Sequence, residues 1–86
     1  MKNTNYFVYI LTCSDGTYYV GITTDLNRRI AEHNSTKSIT KYTRARQPLK
    51  LSYFEEFTSR STATIRELEL KKLSRIEKSK LLNYLH

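Results

Sequence analysis

Two tyrosines, Tyr9 and Tyr19, lie ten residues apart in the segment YFVYILTCSDGTYYVGIT (residues 6–23). A phenolic hydroxyl group can donate or accept a hydrogen bond, and it can transfer a proton in a reaction. Side chains of a β-strand alternate between two faces, so the two hydroxyl groups can act on one substrate only if their strands pair in the right register. Their chemistry therefore depends on how this segment folds.

The segment has the composition of a β-hairpin, because β-branched and aromatic residues stand on both sides of a central Asp-Gly pair. A two-residue loop would put Tyr9 and Tyr19 on opposite faces, whereas a three-residue loop at 14–16, with Gly16 left-handed, puts them on one face. The second register also gathers an apolar set on the other face: Val8, Ile10, Val20 and Ile22. We predict this register, with Gly21 opposite Tyr9 and open space beside the phenolic oxygens. The alternative is that the tyrosines only cover a sheet face.

The remaining pattern predicts an α/β (α+β) fold, in which a small three-stranded antiparallel sheet is flanked by helices in the order β-β-α-β-α-α. A single domain over residues 1–86 is expected, because no linker or repeat divides so short a chain. After the hairpin we expect a helix from Asp25 to His33, with Thr24 as N-cap and Asn34 as its stop. A loop over 34–48 and a strand over 49–57 should follow. The chain should then form a helix over 61–73 and a helix from Ser74 to Leu85, which begins with a capping box between Ser74 and Glu77.

Composition narrows the function classes. Fifteen Lys and Arg against eight Asp and Glu give a net charge of +7, which attracts polyanions, nucleic acid first among them. No segment has the length and apolarity of a signal peptide or a membrane span, so a soluble cytoplasmic protein without a membrane partner is expected. The single cysteine, Cys13, cannot form an internal disulfide or a familiar zinc site, and we predict a reduced, buried strand residue.

Two polar residues of the first predicted helix fall beside its apolar edge. At about 100° per residue, Leu26 and Ile30 define that edge, Arg29 and His33 lie next to it, and Arg28 points the opposite way. The planar guanidinium group of an inward arginine suits a phosphate. The alternatives are a surface arginine with a buried stem and a histidine with a capping or structural role.

An acidic residue is predicted on the inner face of the next long helix. Glu67 shares a stripe with Ala63 and Leu70, whereas Glu69 is turned away. An inward carboxylate needs a partner, and Mg²⁺ is commonly held by one or two carboxylates, waters and substrate phosphates. A salt bridge to one of the many Lys and Arg residues is the alternative.

The polar segment between the first helix and the third strand is strongly basic. Its cations surround an aromatic residue, which combines phosphate contacts with a surface for a splayed base. The residues predicted to bind nucleic acid are Lys37, Lys41, Tyr42, Arg44 and Arg46. A solvated loop without a ligand is the alternative.

Together, the motifs FVYIL, YYVGIT, DLNRRIAEHN and KYTRARQP resemble the GIY-YIG nuclease domain over nearly the whole chain. The similarity is greatest to small stand-alone bacterial members, related to the N-terminal nuclease of UvrC excinuclease. Related domains occur in homing endonucleases, some restriction enzymes and nucleases that cut branched DNA. The resemblance assigns Tyr9 to the GIY tyrosine, Tyr19 and Gly21 to the YIG motif, Arg29 to the arginine of the first helix, His33 to the position one turn later, and Glu67 to the metal-binding glutamate.

The resemblance implies an endonuclease that hydrolyses phosphodiester bonds, with structured or single-stranded DNA favoured over RNA as its substrate and Mg²⁺ or Mn²⁺ on Glu67. In this hypothesis Tyr19 accepts a proton from the attacking water, Tyr9 orients the water or the phosphate, and Arg29 grips a non-bridging oxygen. His33 donates to the phosphate or helps to deprotonate the water. Because phenols are protonated near neutral pH, activity should rise toward alkaline pH.

Two departures from the family pattern bear on this hypothesis. The first motif, Phe7-Val8-Tyr9, lacks its glycine, and Ile22 stands where UvrC-like members carry a lysine. Two alternatives to an active nuclease follow. One is a binding module for structured DNA or RNA that does not cut, and the other is a protein that needs a protein partner to become active.

Overall fold

A computed structural model describes residues 5–38 and 40–84. Its elements succeed one another as predicted, and one short additional helix lies between the first long helix and the third strand. They are β1 (Tyr6–Thr12), β2 (Tyr18–Thr23), α1 (Leu26–His33), α2 (Lys41–Arg44), β3 (Lys50–Phe57), α3 (Arg60–Lys72) and α4 (Arg75–Tyr84). The predicted extension of the last helix to Leu85 lies outside the described residues. No helix within the described ranges has the length and apolarity to cross a membrane.

The sheet has the order β2-β1-β3, and both pairings are antiparallel. Tyr9 pairs with Gly21, and the Cys13 N–H donates to the Thr17 carbonyl at 2.8 Å. Gly16 has a φ of +84°, the left-handed conformation that ends a three-residue loop. The predicted register is therefore confirmed, and the two candidate tyrosines share one face.

Each face of the sheet has its own apolar cluster. On the face covered by α3 and α4, the buried residues are Val8, Ile10, Val20, Ala63, Leu70 and Leu82. On the face covered by α1, the buried residues Tyr9, Leu11, Cys13 and Leu49 are joined by Leu26, Ile30 and Leu51. Cys13 is a buried free thiol, as predicted, but it is not a strand residue, because β1 ends one residue before it.

The start of α1 differs from the prediction. Asp25, not Thr24, is the N-cap, and its carboxylate accepts the Arg28 N–H at 3.0 Å. The reason is that the Thr23 hydroxyl accepts a hydrogen bond from the Asp25 N–H at 3.1 Å, so Thr24 lies within a turn that precedes the helix. Asn34 ends the helix as predicted.

The segment predicted as a loop contains one helical turn, α2. The Thr40 hydroxyl caps it by accepting the Thr43 N–H at 3.0 Å, so the loop prediction is wrong for these residues. β3 begins one residue later than predicted and carries a bulge, because Ile10 pairs with Tyr53 but Leu11 with Leu51. Helix α3 begins and ends one residue before the predicted bounds, α4 begins one residue after its predicted start, and the Ser74–Glu77 capping box is confirmed.

Candidate functional site

The candidate site lies along the outer edge of β2. The order β2-β1-β3 leaves β2 at one edge of the sheet, with α3 on one face and α1 and α2 on the other. Side chains from both sides can therefore meet around this edge. The predicted catalytic residues come from β2 itself, from the adjacent central strand β1, and from the helices α1 and α3 on the two faces.

Tyr9 crosses the sheet surface above Gly21. Its side chain is 2% exposed. A Cβ atom at Gly21 would lie 2.5 Å from Tyr9 Cζ and would also overlap the hydroxyl oxygen. The prediction that Gly21 leaves open space is thus wrong in this detail, because the ring of Tyr9 itself takes the space. The glycine serves close packing of this ring.

A chain of buried hydrogen bonds fixes the Tyr9 hydroxyl. It lies 3.0 Å from His33 Nε2, and His33 Nδ1 lies 2.9 Å from the Thr43 hydroxyl. The Thr43 hydroxyl in turn lies 2.8 Å from that of Ser38 and 2.6 Å from that of Thr40. His33 and Thr43 are fully buried. Thr43 was not identified from the sequence, although the spacing Thr40-x-x-Thr43 is typical of a capped helical turn and indicates it.

Burial and neighbouring charges determine the protonation of the two aromatic members of this hydrogen-bonded chain. Burial, and after it the neighbouring Tyr19, raises the pKa of Tyr9, so its hydroxyl keeps its proton in mildly alkaline solution. Burial and the charge of Arg29 lower the pKa of His33, so the imidazole is neutral near pH 7. Both ring nitrogens of His33 are hydrogen-bonded within the protein and the residue has no exposed surface, so His33 can orient the Tyr9 hydroxyl. This geometry disfavours the direct contact with phosphate that the sequence suggested.

Tyr19 is the more accessible of the two tyrosines. Its ring centroid lies 4.9 Å from that of His33 and 6.2 Å from that of Tyr42. Arg46 covers the Tyr42 ring with Cζ 3.9 Å from the centroid, while its Nε donates to Asp15 at 3.0 Å. Arg46, predicted to bind nucleic acid, is thus engaged within the protein, and it fixes Tyr42 beside Tyr19.

Arg29 lines a concavity of about 180 Å³ at one end of the β2 edge. The concavity is bordered by Tyr6, Ile22, Thr23, Thr24, Arg29 and Arg60. Arg29 Nε is buried without a hydrogen-bond partner in the described residues and lies 3.3 Å from Glu32 Oε1. Arg28 is on the surface, as predicted, with 58% of its side chain exposed. We call this site the arginine concavity.

Glu67 faces inward, as predicted. Its side chain is 14% exposed, on the stripe of the fully buried Ala63 and Leu70. Its charge contributes to the raised pKa of Tyr9, after burial and Tyr19. Lys71 Nζ lies 3.4 Å from Glu67 Oε2, so the salt bridge considered as the alternative is present.

A divalent cation at Glu67 would need ligands from outside the protein. The described part of the chain contains no group of three or more His, Cys, Asp or Glu residues that could hold a metal. One hard oxygen ligand in a largely buried position nevertheless fits Mg²⁺, which keeps several waters and often takes the rest of its ligands from substrate phosphates. Glu67 fits a site that is completed when substrate binds.

The remaining predicted nucleic-acid contacts are on the surface of the α1–α2 segment. Lys37, Lys41 and Arg44 are exposed, and Tyr42 is 37% exposed. α2 presents Lys41, Tyr42 and Arg44 within one turn. Their accessibility is compatible with the predicted role in binding.

The lowered pKa of His33 predicts an acid-sensitive fold. In the unfolded chain histidine takes up its proton near pH 6.5, whereas in the folded chain protonation requires a lower pH. The unfolded state therefore binds more protons in this window. The free energy of unfolding should fall as pH drops below about 6.5, with a slope of at most about 1.4 kcal/mol per pH unit.

Urea unfolding between pH 8 and pH 5 measures this slope. The pKa values of Asp15, Glu55 and Glu77 are lowered, so these carboxylates titrate below the window. The variant His33→Asn should lose the slope, even though it is less stable throughout. An unchanged slope in that variant would contradict the assignment.

The chain is similar to known proteins over most of its length. A family model described as the GIY-YIG catalytic domain matches residues 5–80. The chain is 53% identical over 74 residues to a UPF0213 protein of Halobacterium salinarum, which covers 86% of this chain and 95% of that protein. It is 49% identical over 82 residues to a UPF0213 protein of Listeria innocua, which covers 95% of this chain and 90% of that protein.

Two solved structures have the same fold. The solution NMR structure of a UPF0213 protein from Bacillus halodurans has a TM-score of 0.60 and 46% identity, and the match covers 93% of this chain and 84% of that one. A solution NMR structure of a protein from E. faecalis has a TM-score of 0.65 and 39% identity, over 100% of this chain and 92% of that one. Since the family match spans most of the chain and the relatives are similar over most of their own length, this chain belongs to the GIY-YIG family.

Proposed function

We propose that this protein is a metal-dependent endonuclease that hydrolyses phosphodiester bonds in DNA. The observation that carries the proposal is the convergence of four side chains from four separate elements on the edge of β2. They are Tyr9, Tyr19, Arg29 and Glu67, and what supports their proximity is that the other three are close enough for their charges to shift the pKa of Tyr9. DNA is preferred to RNA because of the DNA-cutting nucleases that the chain resembles.

Each of these side chains has a distinct task in the proposal. Tyr19, which is partly exposed, accepts the proton of the attacking water. Tyr9 keeps its own proton and donates a hydrogen bond to the phosphate or the water, held in place by His33. Arg29 binds a non-bridging phosphate oxygen, because it borders the arginine concavity and a guanidinium group suits a phosphate.

Glu67 is the proposed ligand of a divalent cation. Mg²⁺ or Mn²⁺, when bound, would supply Lewis-acid neutralisation of the phosphate and the leaving oxygen. The protein contributes the carboxylate and the low exposure around it. Lys71 compensates the charge of Glu67 in the free protein and can then turn to a phosphate.

Cations lie on both sides of Glu67 along α3. Arg60 borders the arginine concavity near the start of the helix, and Lys71 lies near its end. Positions 60, 67 and 71 fall on one side of a helix. A nucleic-acid strand running along the β2 edge would thus contact cations on either side of the proposed catalytic centre.

The test is cleavage of labelled single-stranded, duplex, flap and junction DNA, and of RNA, with Mg²⁺ or Mn²⁺. We expect Glu67→Gln to lower the rate by roughly 10²–10³-fold, the scale of removing one group that stabilises transition-state charge. The matched control is Glu69→Gln on the same helix, because Glu69 is 59% exposed and turned away. Equal activity of the two variants would contradict the role of Glu67.

A second candidate is a nucleic-acid binding module that does not cut. The Lys71–Glu67 ion pair favours it, because a carboxylate already paired binds a cation less readily. Salt-sensitive binding without cleavage under any of the metal conditions would select this function. The third alternative, a required protein partner, would be selected by cleavage that begins only when a partner is added.

The exposed cations of α2 give a prediction common to both candidates. Each phosphate contact contributes about −0.7 to −0.9 to the slope of log K against log salt. We expect Lys41→Gln and Arg44→Gln each to make this slope less steep by roughly 1, for all sequences alike. Lys50→Gln, on β3 at the opposite edge of the sheet, is the control and should leave the slope unchanged.

A further inference from the structure

A second concavity, which we call the tyrosine cleft, opens at the other end of the β2 edge. Its volume is about 330 Å³, at the lower end of the range of small-molecule sites, roughly 300–1,000 Å³. It is lined by Tyr18, Tyr19, Val20, Tyr42, Lys71 and Lys78. Tyr19 and Lys71 connect it to the proposed catalytic centre, since Lys71 is paired with Glu67.

Rigid aromatic rings form the walls of the cleft. Tyr18 and Tyr19 are neighbours on β2, so their rings lie on opposite faces of the sheet. The Tyr18 hydroxyl is held 2.7 Å from that of Ser79. Arg46 covers one face of Tyr42 but does not border the cleft, so the rest of that ring is available there. Such rings can stack with a planar group.

The backbone of Val20 forms the floor. Cys13 and Thr17 are a hydrogen-bonded pair of the β1–β2 ladder. Hydrogen-bonded and non-hydrogen-bonded pairs alternate along an antiparallel ladder. Val20, which lies opposite Ile10, is therefore in a non-hydrogen-bonded pair. The N–H and C=O of Val20 therefore point away from β1, toward the open edge. The side chain of Val20 is in the core, which leaves its peptide group to line the cleft.

The rim of the cleft is cationic. Half of the Lys71 side chain is exposed at the end of α3, and Lys78 lies on the next helix, α4. A ligand that satisfies the whole site needs a planar ring, a donor and an acceptor on its edge, and negative charge beside it. An unpaired nucleotide has all of these properties, whereas the faces of a base inside a duplex are stacked and its Watson–Crick edge is paired.

We propose that the tyrosine cleft binds one unpaired nucleobase beside the phosphate that is cut. This inference rests on the proposed nuclease function and specifies its substrate, a strand with at least one unstacked, unpaired nucleotide next to the scissile bond. Recognition by ring stacking and by one peptide group tolerates every base. Selectivity is therefore for structure and not for sequence.

Binding without cleavage tests the base site directly. Fluorescence anisotropy with EDTA compares a dodecamer of thymidine with an abasic dodecamer that has the same phosphates. We expect the wild type to bind the thymidine strand roughly tenfold more tightly, the scale of one base stacked on an aromatic ring. Tyr42→Leu should remove this difference and Tyr42→Phe should keep it, because only the latter retains the ring.

A second variant pair separates phosphate from base contacts. Lys78→Gln should weaken binding of both strands about equally, and Lys80→Gln, on an exposed position of the same helix, should weaken neither. Equal affinity of the wild type for the two strands would overturn the base site. Concentration-dependent dimerisation that blocks oligonucleotide binding would also overturn it, because β2 would then pair with a second copy.

The proposed function can fail separately. If no metal supports cleavage but the thymidine strand is preferred through Tyr42, the nuclease function fails and the base site stands. If DNA is cut while the abasic and thymidine strands bind equally, the nuclease function stands and the base site fails.

Discussion

Replacing Tyr19 by phenylalanine is expected to lower the rate of cleavage by roughly 10²–10⁴-fold, the usual contribution of a positioned proton acceptor. The substitution keeps the ring that packs 4.9 Å from His33 and 6.2 Å from Tyr42. It removes only the hydroxyl group that is proposed to accept the proton of water. The fold should therefore be retained, and the loss should be in kcat with little change in KM.

The pH profile distinguishes a proton acceptor from a structural tyrosine. The wild-type rate should rise from neutral toward alkaline pH, because the acceptor must first lose its own proton. Tyr9 cannot cause this rise, since burial and Tyr19 raise its pKa. Whatever activity remains in Tyr19→Phe should lack the rise.

The control for this measurement is Tyr53→Phe. Tyr53 is a phenol of the same sheet, it lies on the face of α3 and its hydroxyl bonds to Glu55. The substitution Tyr53→Phe should change the free energy of unfolding slightly and leave the pH profile of cleavage intact. A flat profile in the wild type, or an unaltered one in Tyr19→Phe, would exclude Tyr19 as the base.

The sequence was sufficient to predict the hairpin register because two local signals agree. A glycine suited to the left-handed end of a three-residue loop and a clean apolar face both require the same pairing. The inward orientation of Glu67 was likewise predictable, because helical periodicity alone places it on the apolar face of α3. Both cases depend on short-range geometry, which the order of residues determines directly.

The partners of polar side chains could not be predicted so well. His33 is bonded to Thr43 across a loop, and Arg46 to Asp15 in the hairpin turn, 31 positions earlier in the chain. Periodicity places neither pair together. Which of several cations and hydroxyl groups meet is decided by the path of the loop, and α2 within it had no apolar stripe to predict it.

Gly21 shows a different limit. The pairing of Gly21 with Tyr9 was predictable, and the absence of a side chain correctly suggested close approach of another group. The sequence could not say that the approaching group is Tyr9 itself. That outcome depends on the rotamer of Tyr9, which is fixed by His33 from a different element.

Gly21→Ala is accordingly the second substitution with a large expected effect. The added Cβ would lie 2.5 Å from Tyr9 Cζ, and the ring is 2% exposed and hydrogen-bonded to His33, so it cannot turn away freely. Overpacking of this kind costs roughly 1–3 kcal/mol of unfolding free energy. Displacing the hydroxyl from His33 also leaves buried polar groups without partners, which costs about 1–3 kcal/mol more.

Urea unfolding of a double-mutant cycle identifies the cause of this loss. In a Tyr9→Leu background the Cβ no longer meets a ring, so Gly21→Ala should cost less than in the wild type, with a coupling of roughly 0.5–3 kcal/mol. Gly16→Ala is the matched control, because its cost comes from a φ of +84° and from a close contact with the end of the Arg75 side chain, and neither involves Tyr9. If Gly21→Ala is as costly in the Tyr9→Leu background as in the wild type, the steric explanation is wrong. If the coupling is found and cleavage is lost with it, the glycine of the second motif is required to seat the tyrosine of the first.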